Sequence, residues 1–361
     1  MSSPALSTRI RRAGGILISE AATNGERSSA LAAFSQFRQE LLPMLEAFRR
    51  KLEGDLKCLG LTGRVVWRLK NVASTERKLR RSRGLMIPDL HDIAGLRVIL
   101  PTTDDARRFS EAMKEKFTAD GWRFREKTLR DYTRSPKPDG YRSIHRTYHV
   151  FRTEEAVLPG KSRLPLDFML RAELQIRSEA EHAWATGVET IGFLTGHRLK
   201  SGEGPEIWKR FLLLSATLFA RLEGTMLPES CARIPRDELA RDVRLRAHAL
   251  RIFDLMPQYT VERDRVFAAD RLPDGHDLQL IELDLKSRTT ALTSFPADDA
   301  ASAESCCLSQ ETPHGSLPDP DRFVLLARSG GMKETRETYP AMFLDSSAFR
   351  RTLEAAIKRF I

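Results

Sequence analysis

Apolar residues recur every three or four positions from Leu31 to Leu59, at Leu31, Phe34, Phe37, Leu41, Leu45, Phe48, Leu52 and Leu56. That period lays one apolar stripe along a helix, so the segment predicts an amphipathic helix with Pro43 as a candidate break. Val, Trp and Leu concentrate in Arg64 to Lys70, which predicts a strand, and a basic helix follows over Ser74 to Arg83. Further strands are expected at Leu96 to Leu100, Tyr141 to Phe151 and Leu170 to Arg177, with a helix over Asp104 to Phe117. Helices are expected at Glu179 to Thr190 and Ile207 to Leu222, and after a break at Pro228 to Pro235 another runs to about Met256. Strands at Asp277 to Leu285 and Phe323 to Ala327 precede a terminal helix over Ser346 to Ile361, with Phe349, Leu353, Ile357 and Ile361 spaced by four. Strands alternating with helices define an α/β or α+β fold, a mixed sheet flanked by helices.

The polar stretches suggest the divisions. Residues 1–28 mix Ser, Ala, Gly and Arg and read as a disordered leader, 29–225 as the main domain, and 226–361 as an accessory α+β module. Ala297 to Asp321, rich in Ala, Ser, Asp and Pro, reads as a flexible loop.

Composition narrows the partners. The 361 residues, 41% of them hydrophobic, suffice for two or three modest domains, and a formal net charge of +10 favours phosphates, nucleotides or RNA. Cys58, Cys231, Cys306 and Cys307 include no C-x-x-C pair, so a reducing cytoplasm is the expected location. No window is long enough for a signal-peptide core or a membrane span.

Four groups of residues carry candidate chemistry. Arg68, Lys70, Ser74 and Lys78 span a strand-to-helix junction, where free backbone N–H groups and three cations would suit a polyphosphate, although such residues also decorate solvated helices. Asp92 precedes the apolar strand ending at Leu100, well placed to hold a magnesium ion or simply to shape a turn. Pro136, Lys137, Pro138, Asp139 and Gly140 form a turn that launches Tyr141, Ser143 and His145 along one strand face; a Tyr ring there stacks on a nucleobase or fills a core. In Leu170 to Arg177, strict alternation leaves Glu173, Gln175 and Arg177 together opposite Ala172, Leu174 and Ile176.

Taken together, D-I-A-G-x-R from Asp92, P-K-x-x-G-Y-x-S-x-H from Pro136 and E-x-Q-I-R from Glu173 resemble the synthetase domain of the RelA/SpoT family. The resemblance implies a nucleotidyltransferase-like fold over 29–225 and transfer of pyrophosphate from ATP to the 3′-hydroxyl of GDP or GTP, with Mg²⁺ as cofactor. It implies that Arg68, Lys70, Ser74, Lys78 and Arg97 bind ATP, and that Asp92 and Glu173 are the catalytic and metal-holding carboxylates. Lys137, Tyr141, His145 and Arg130 then look like the acceptor site, Tyr141 stacking on guanine. Arg130 and Asp139 depart from the Lys and Asn often found in the family, and Asp139 adds negative charge beside the acceptor. The upstream hydrolase domain of long family members has no counterpart here, so no hydrolase activity is expected. His182 and Trp184 are similar to family positions and read as packing and orienting residues.

Three functions compete: an alarmone synthetase, a toxin-like relative that pyrophosphorylates the 3′ end of tRNA or an adenosine nucleotide, and a non-enzymatic RNA- or nucleotide-binding module. The paired carboxylates favour an enzyme. A homo-oligomer is compatible with the sequence.

Overall fold

The computed structural model describes residues 5–82, 84–154, 164–255, 275–287, 289–313, 318–328 and 332–361. Helices α1 (Leu6–Ile18) and α2 (Asn24–Cys58) lead into β1 (Arg64–Leu69), α3 (Val72–Arg81), β2 (Ala94–Leu100) and α4 (Thr103–Ala112). Strands β3 (Lys116–Ala119), β4 (Trp122–Asp131), β5 (Ile144–Arg152) and β6 (Leu170–Ser178) follow, then α5 (Glu179–Thr195), α6 (Glu206–Glu223) and α7 (Arg236–Ala249). The chain finishes with β7 (Leu278–Asp284), β8 (Thr289–Phe295), α8 (Ala300–Glu311), β9 (Arg322–Arg328), α9 (Met332–Thr338) and α10 (Ser347–Phe360). This is an α+β architecture, a mixed sheet flanked by helices.

All nine strands join one sheet in the order β3-β4-β5-β6-β2-β1-β9-β7-β8. Only β2 and β6 run parallel, side by side at the centre, and their register sets Gly95 beside Glu173 and Arg97 beside Gln175. Alternation along these strands separates two faces. One face, with Trp67, Leu96, Val98, Tyr148, Leu174 and Leu280, packs in the largest apolar cluster with α1, α2, α4 and α8. The other face is polar at its centre, carrying Arg68, Arg97, His145, Glu173 and Gln175. It turns apolar again at Val66, Ile281, Leu283 and Leu325.

Several expectations need correction. The supposed leader forms α1, with Leu6, Ile10, Ala13 and Leu17 buried at helical spacing; Thr23 and Glu26 then cap α2 reciprocally. Pro43 does not break α2, which is continuous over 35 residues. The loop expected over 297–321 contains α8, because Glu304 and Glu311 are drawn inward by the wholly buried Arg38 of α2, at 2.6 and 2.9 Å. The helix expected to reach Phe117 stops at Ala112, and Phe117 belongs to β3, stacked on Phe124 at 4.7 Å. Strands β4 and β8 carry too many polar residues to stand out by composition. Met256 lies outside the described residues. The C-terminal segment contributes β7, β8 and β9 to the same sheet, β9 meeting β1 at Arg68 and Ala327.

Candidate active site

Where β1 ends, the Lys70 N–H donates to the Ile93 carbonyl at 2.9 Å, bringing the strand exit against the turn before β2. The ammonium groups of Lys70 and Lys78 then converge on the Asp92 carboxylate at 2.9 and 2.8 Å. Burial opposes ionisation of Asp92, but the two lysines outweigh it and hold the carboxyl well below its usual range. Lys70 is itself pushed down to about 8, by burial first and then by the neighbouring charges of Arg68 and Lys78, against the pull of Asp92. Positive charge is in excess around this one carboxylate. That excess suits an anionic ligand.

The α3 N-terminus contributes less than its sequence suggested. The Asn71 side chain accepts the Ser74 N–H at 2.8 Å, and Glu311 accepts the Val72 N–H at 3.3 Å. Ser74 Oγ accepts from Arg77 at 2.9 Å. Two of the helix's opening amides are therefore occupied, and side-chain cations carry the site.

On the other side of Glu173 lies a closed ring of hydrogen bonds. Glu173 Oε1 meets His145 Nδ1 at 2.9 Å, and His145 Nε2 meets the Tyr141 hydroxyl at 2.7 Å. Arg177 donates to the Tyr141 oxygen at 2.7 Å and to Gln175 Oε1 at 2.8 Å, and Gln175 Nε2 donates back to Glu173 Oε2 at 3.3 Å. A neutral imidazole protonated at Nδ1, with Tyr141 donating to Nε2, satisfies every member. Burial works against the Glu173 carboxylate, yet His145 holds it ionised, its pKa at about 2. Lys137 covers the Tyr141 and Tyr132 rings at 4.9 and 4.7 Å, and Arg177 covers Tyr141 at 5.3 Å.

Tyr141 precedes β5 instead of lying on it, so the expected strand alternation does not position it; the turn does. Gly140 sits at φ +90°, and a Cβ there would fall 2.5 Å from Ala216, so glycine is required on both counts. The Asp139 carboxylate accepts the Tyr141 N–H at 3.0 Å, which ties the departing acid into the turn.

Two recesses flank the ring. A narrow groove is lined by Arg68, Asp92, Gly95, Arg97, Glu173 and Tyr339. A cavity of about 340 Å³ is lined by Tyr141, Arg177, Trp184, Val188, Lys209 and Leu213 among others, large enough for a nucleoside. In the groove, burial and then Arg177 push Arg97 down to about 10, Arg68 adding to the effect. Neither Arg68 nor Arg97 has a carboxylate partner among the described residues. Glu173 and Asp92 face one space, each making ionisation of the other costlier. Arg130 lies on exposed β4, paired in register with His145. Trp184 packs as expected, donating to the Leu212 carbonyl at 2.9 Å, and buried His182 contacts the Glu337 carbonyl at 3.2 Å. Tyr339 was missed from sequence, since no spacing rule links it to Arg68 across so long a separation.

A mixed sheet with two ionised carboxylates between a cation-rich groove and an aromatic cavity defines a site for two anionic ligands. Residues 67–191 match the family model described as "Region found in RelA / SpoT proteins", and the chain carries a RelA/SpoT region. It is 33% identical over 188 residues to GTP pyrophosphokinase rsh of Brucella melitensis biotype 1, covering 46% of this chain and 23% of that protein. It is 29% identical over 124 residues to GTP pyrophosphokinase YwaC of Bacillus subtilis, covering 33% of this chain and 52% of that one. Small alarmone synthetase 1 from Bacillus subtilis, solved with its product pppGpp, is 26% identical with a TM-score of 0.41, covering 52% of this chain and 93% of that chain. The chain spans about a fifth of the length of the first curated relatives it matches. No described helix is long and apolar enough to cross a membrane.

Proposed function

We propose that the protein transfers the β,γ-pyrophosphate of ATP to the 3′-hydroxyl of GDP or GTP, forming guanosine tetra- or pentaphosphate and AMP. The observation that carries this reading is the hydrogen-bonded ring from Glu173 through His145, Tyr141, Arg177 and Gln175, which joins a cationic groove to a nucleoside-sized cavity. In the reaction the acceptor 3′-oxygen bonds to the β-phosphorus, the bridge to the α-phosphorus breaks, AMP departs and the hydroxyl proton is released. Arg68, Lys70, Lys78 and Arg97 hold the donor polyphosphate, and Tyr141, Lys137 and Arg177 hold the acceptor base and its phosphates. Glu173, ionised and fixed by His145, orients the attacking hydroxyl between them. A pKa at about 2 makes it a weak base, so alignment is its larger contribution.

Asp92 and Glu173 fit a magnesium ion, which takes one or two carboxylates and completes its shell with substrate phosphates. When bound, Mg²⁺ would neutralise charge on the transferred group.

A second acceptor, the 3′ end of tRNA, is favoured by one feature. Exposed Arg123, Arg125 and Arg130 line β4, and Arg130 pairs in register with His145, so a basic row leads towards the ring. The deciding experiment incubates protein, Mg²⁺ and γ-labelled ATP with GDP, GTP, ATP or deacylated tRNA in separate reactions. Label on a guanine nucleotide is expected; label on tRNA alone replaces the acceptor, and no transfer overturns the reading.

A further inference from the structure

The narrow groove has a wall from outside the RelA/SpoT region. Its floor is Arg68, Gly95 and Glu173 on adjacent strands, and Asp92 stands on one side. On the other stands Tyr339, from the turn between α9 and α10. The Tyr339 hydroxyl donates to the Trp67 carbonyl at 2.9 Å, next to the single registered pair between β1 and β9. Its ring is only 7% exposed, clamped in the cluster of Val66, Leu325, Met342, Phe343 and Leu344. The segment is tied down again where Glu337 meets Arg64 at 3.6 Å and His182 through its carbonyl, and where Thr290 donates to the Met342 carbonyl at 2.9 Å. Tyr339 is thus a rigid flat surface facing two long guanidinium side chains. Burial holds its phenol proton on, while Arg97 and Arg68 press in the other direction from across the groove.

We propose that Tyr339 is the surface against which the donor nucleotide's purine is held, so that the C-terminal segment completes the ATP site. This rests on the reading of ATP as donor. Both sides of the groove suit a purine, which stacks on an aromatic ring as readily as on a guanidinium plane. The groove itself, about 10 Å³, admits little more than one water, so the base enters by swinging the Arg68 and Arg97 side chains aside. No ion pair among the described residues restrains either. The triphosphate then runs from Tyr339 past Arg68 towards Lys70 and Lys78.

The test is equilibrium binding of α,β-methylene-ATP, whose bridge cannot be broken in this reaction, with inorganic tripolyphosphate as a competitor lacking the base. Tyr339→Ala and Tyr339→Leu, the second preserving buried volume, should weaken the analogue by about 5- to 100-fold, the range of one base–aromatic contact. Tyr339→Phe should stay within about threefold, since it keeps the ring. Tripolyphosphate affinity should change by less than about twofold in all three. Unchanged analogue binding in the Ala and Leu variants overturns the proposal, as does an equal loss of tripolyphosphate, which would mark Tyr339 as a purely structural strut. Wild-type protein that binds no analogue overturns the donor assignment with it. Parallel transfer assays separate the two readings: a protein that binds the analogue through Tyr339 but modifies no guanine nucleotide keeps this inference and loses the acceptor assignment.

Discussion

At the level of single residues, the site is organised by what surrounds each charge. Glu173 stays ionised because His145 donates to it, despite burial that pushes the other way. Glu173→Gln keeps the oxygen that accepts from His145 but sets an amide against the Gln175 amide, losing charge and alignment together. Turnover should fall by about 10² to 10⁴ with the melting temperature within a few degrees of wild type; near-normal turnover would remove Glu173 from the mechanism. Its folded pKa lies below the ordinary carboxylate value, so the stability it contributes is present above about pH 4 and lost as pH falls through about 2. Glu173 therefore produces no change in activity or stability near neutrality. Tyr141 has a separable role: Tyr141→Ala should raise KM for the guanine acceptor by roughly 10-fold or more and leave KM for ATP within about threefold, because stacking is removed from one ligand only. Equal shifts in both constants would place Tyr141 outside the acceptor site. These residues were legible in the sequence because each motif is local, four residues or fewer separating partners on one strand or turn. Their pairing was not: His145 and Glu173 meet through the β5–β6 register, and Tyr339 reaches Trp67 across 272 positions.

Among the elements, α2 shows what periodicity reads well and α8 what it hides. The α2 stripe is built of Leu and Phe, large enough to mark the buried face unaided. On α8 the buried face is Ala303, Glu304, Cys307 and Glu311, two small residues and two acids, which looks like loop composition until Arg38 is known to lie opposite. The same arginine donates to the Lys70 carbonyl at 3.3 Å, and Glu311 accepts the Val72 N–H, so α8 buttresses the strand-to-helix junction of the donor site. Two acids facing one guanidinium leave negative charge in excess. Burial, and then Glu311 against the pull of Arg38, raises Glu304 to about 7. A raised acid pKa means the folded state holds a proton that the unfolded chain releases, so this contribution is fully present below about pH 4.5 and lost as pH rises through about 7. Glu304→Gln should flatten the fall of unfolding free energy between pH 5 and 7.5, a slope of up to roughly 1 kcal/mol per pH unit. Denaturant titrations across that range check it, and an unchanged slope in the variant would assign the pH dependence elsewhere. Arg38→Met, which strands both acids, should cost about 3–5 kcal/mol at pH 8.

For the whole molecule, the question is whether residues 226–361 form a separate body attached to the RelA/SpoT region. Composition suggested a boundary near 226, because Pro-rich and polar stretches interrupt the pattern there. The hydrogen-bonding ladder crosses that boundary: β9 joins β1, and β7 and β8 extend the sheet outward. The helices cross it too. Phe349 of α10 packs on Phe211 and Phe219 of α6, with ring centroids at 6.4 and 5.6 Å, and a Cβ on Gly187 of α5 would stand 2.5 Å from its ring. A Gly187→Ala variant therefore cannot close that helix pair without displacement, and should lose about 1–3 kcal/mol although it touches no substrate. Removing the segment would expose Val66, Phe211 and Phe219 to water and take Tyr339 out of the groove. Unfolding should accordingly be one cooperative event. Scanning calorimetry of the full chain should give a single transition whose calorimetric and van't Hoff enthalpies agree, with α,β-methylene-ATP raising the whole transition. Two resolved transitions, only the earlier one moved by nucleotide, would show that the sheet and helix contacts across position 226 are too weak to couple the halves. The C-terminal segment would then be an appendage and not a wall of the site.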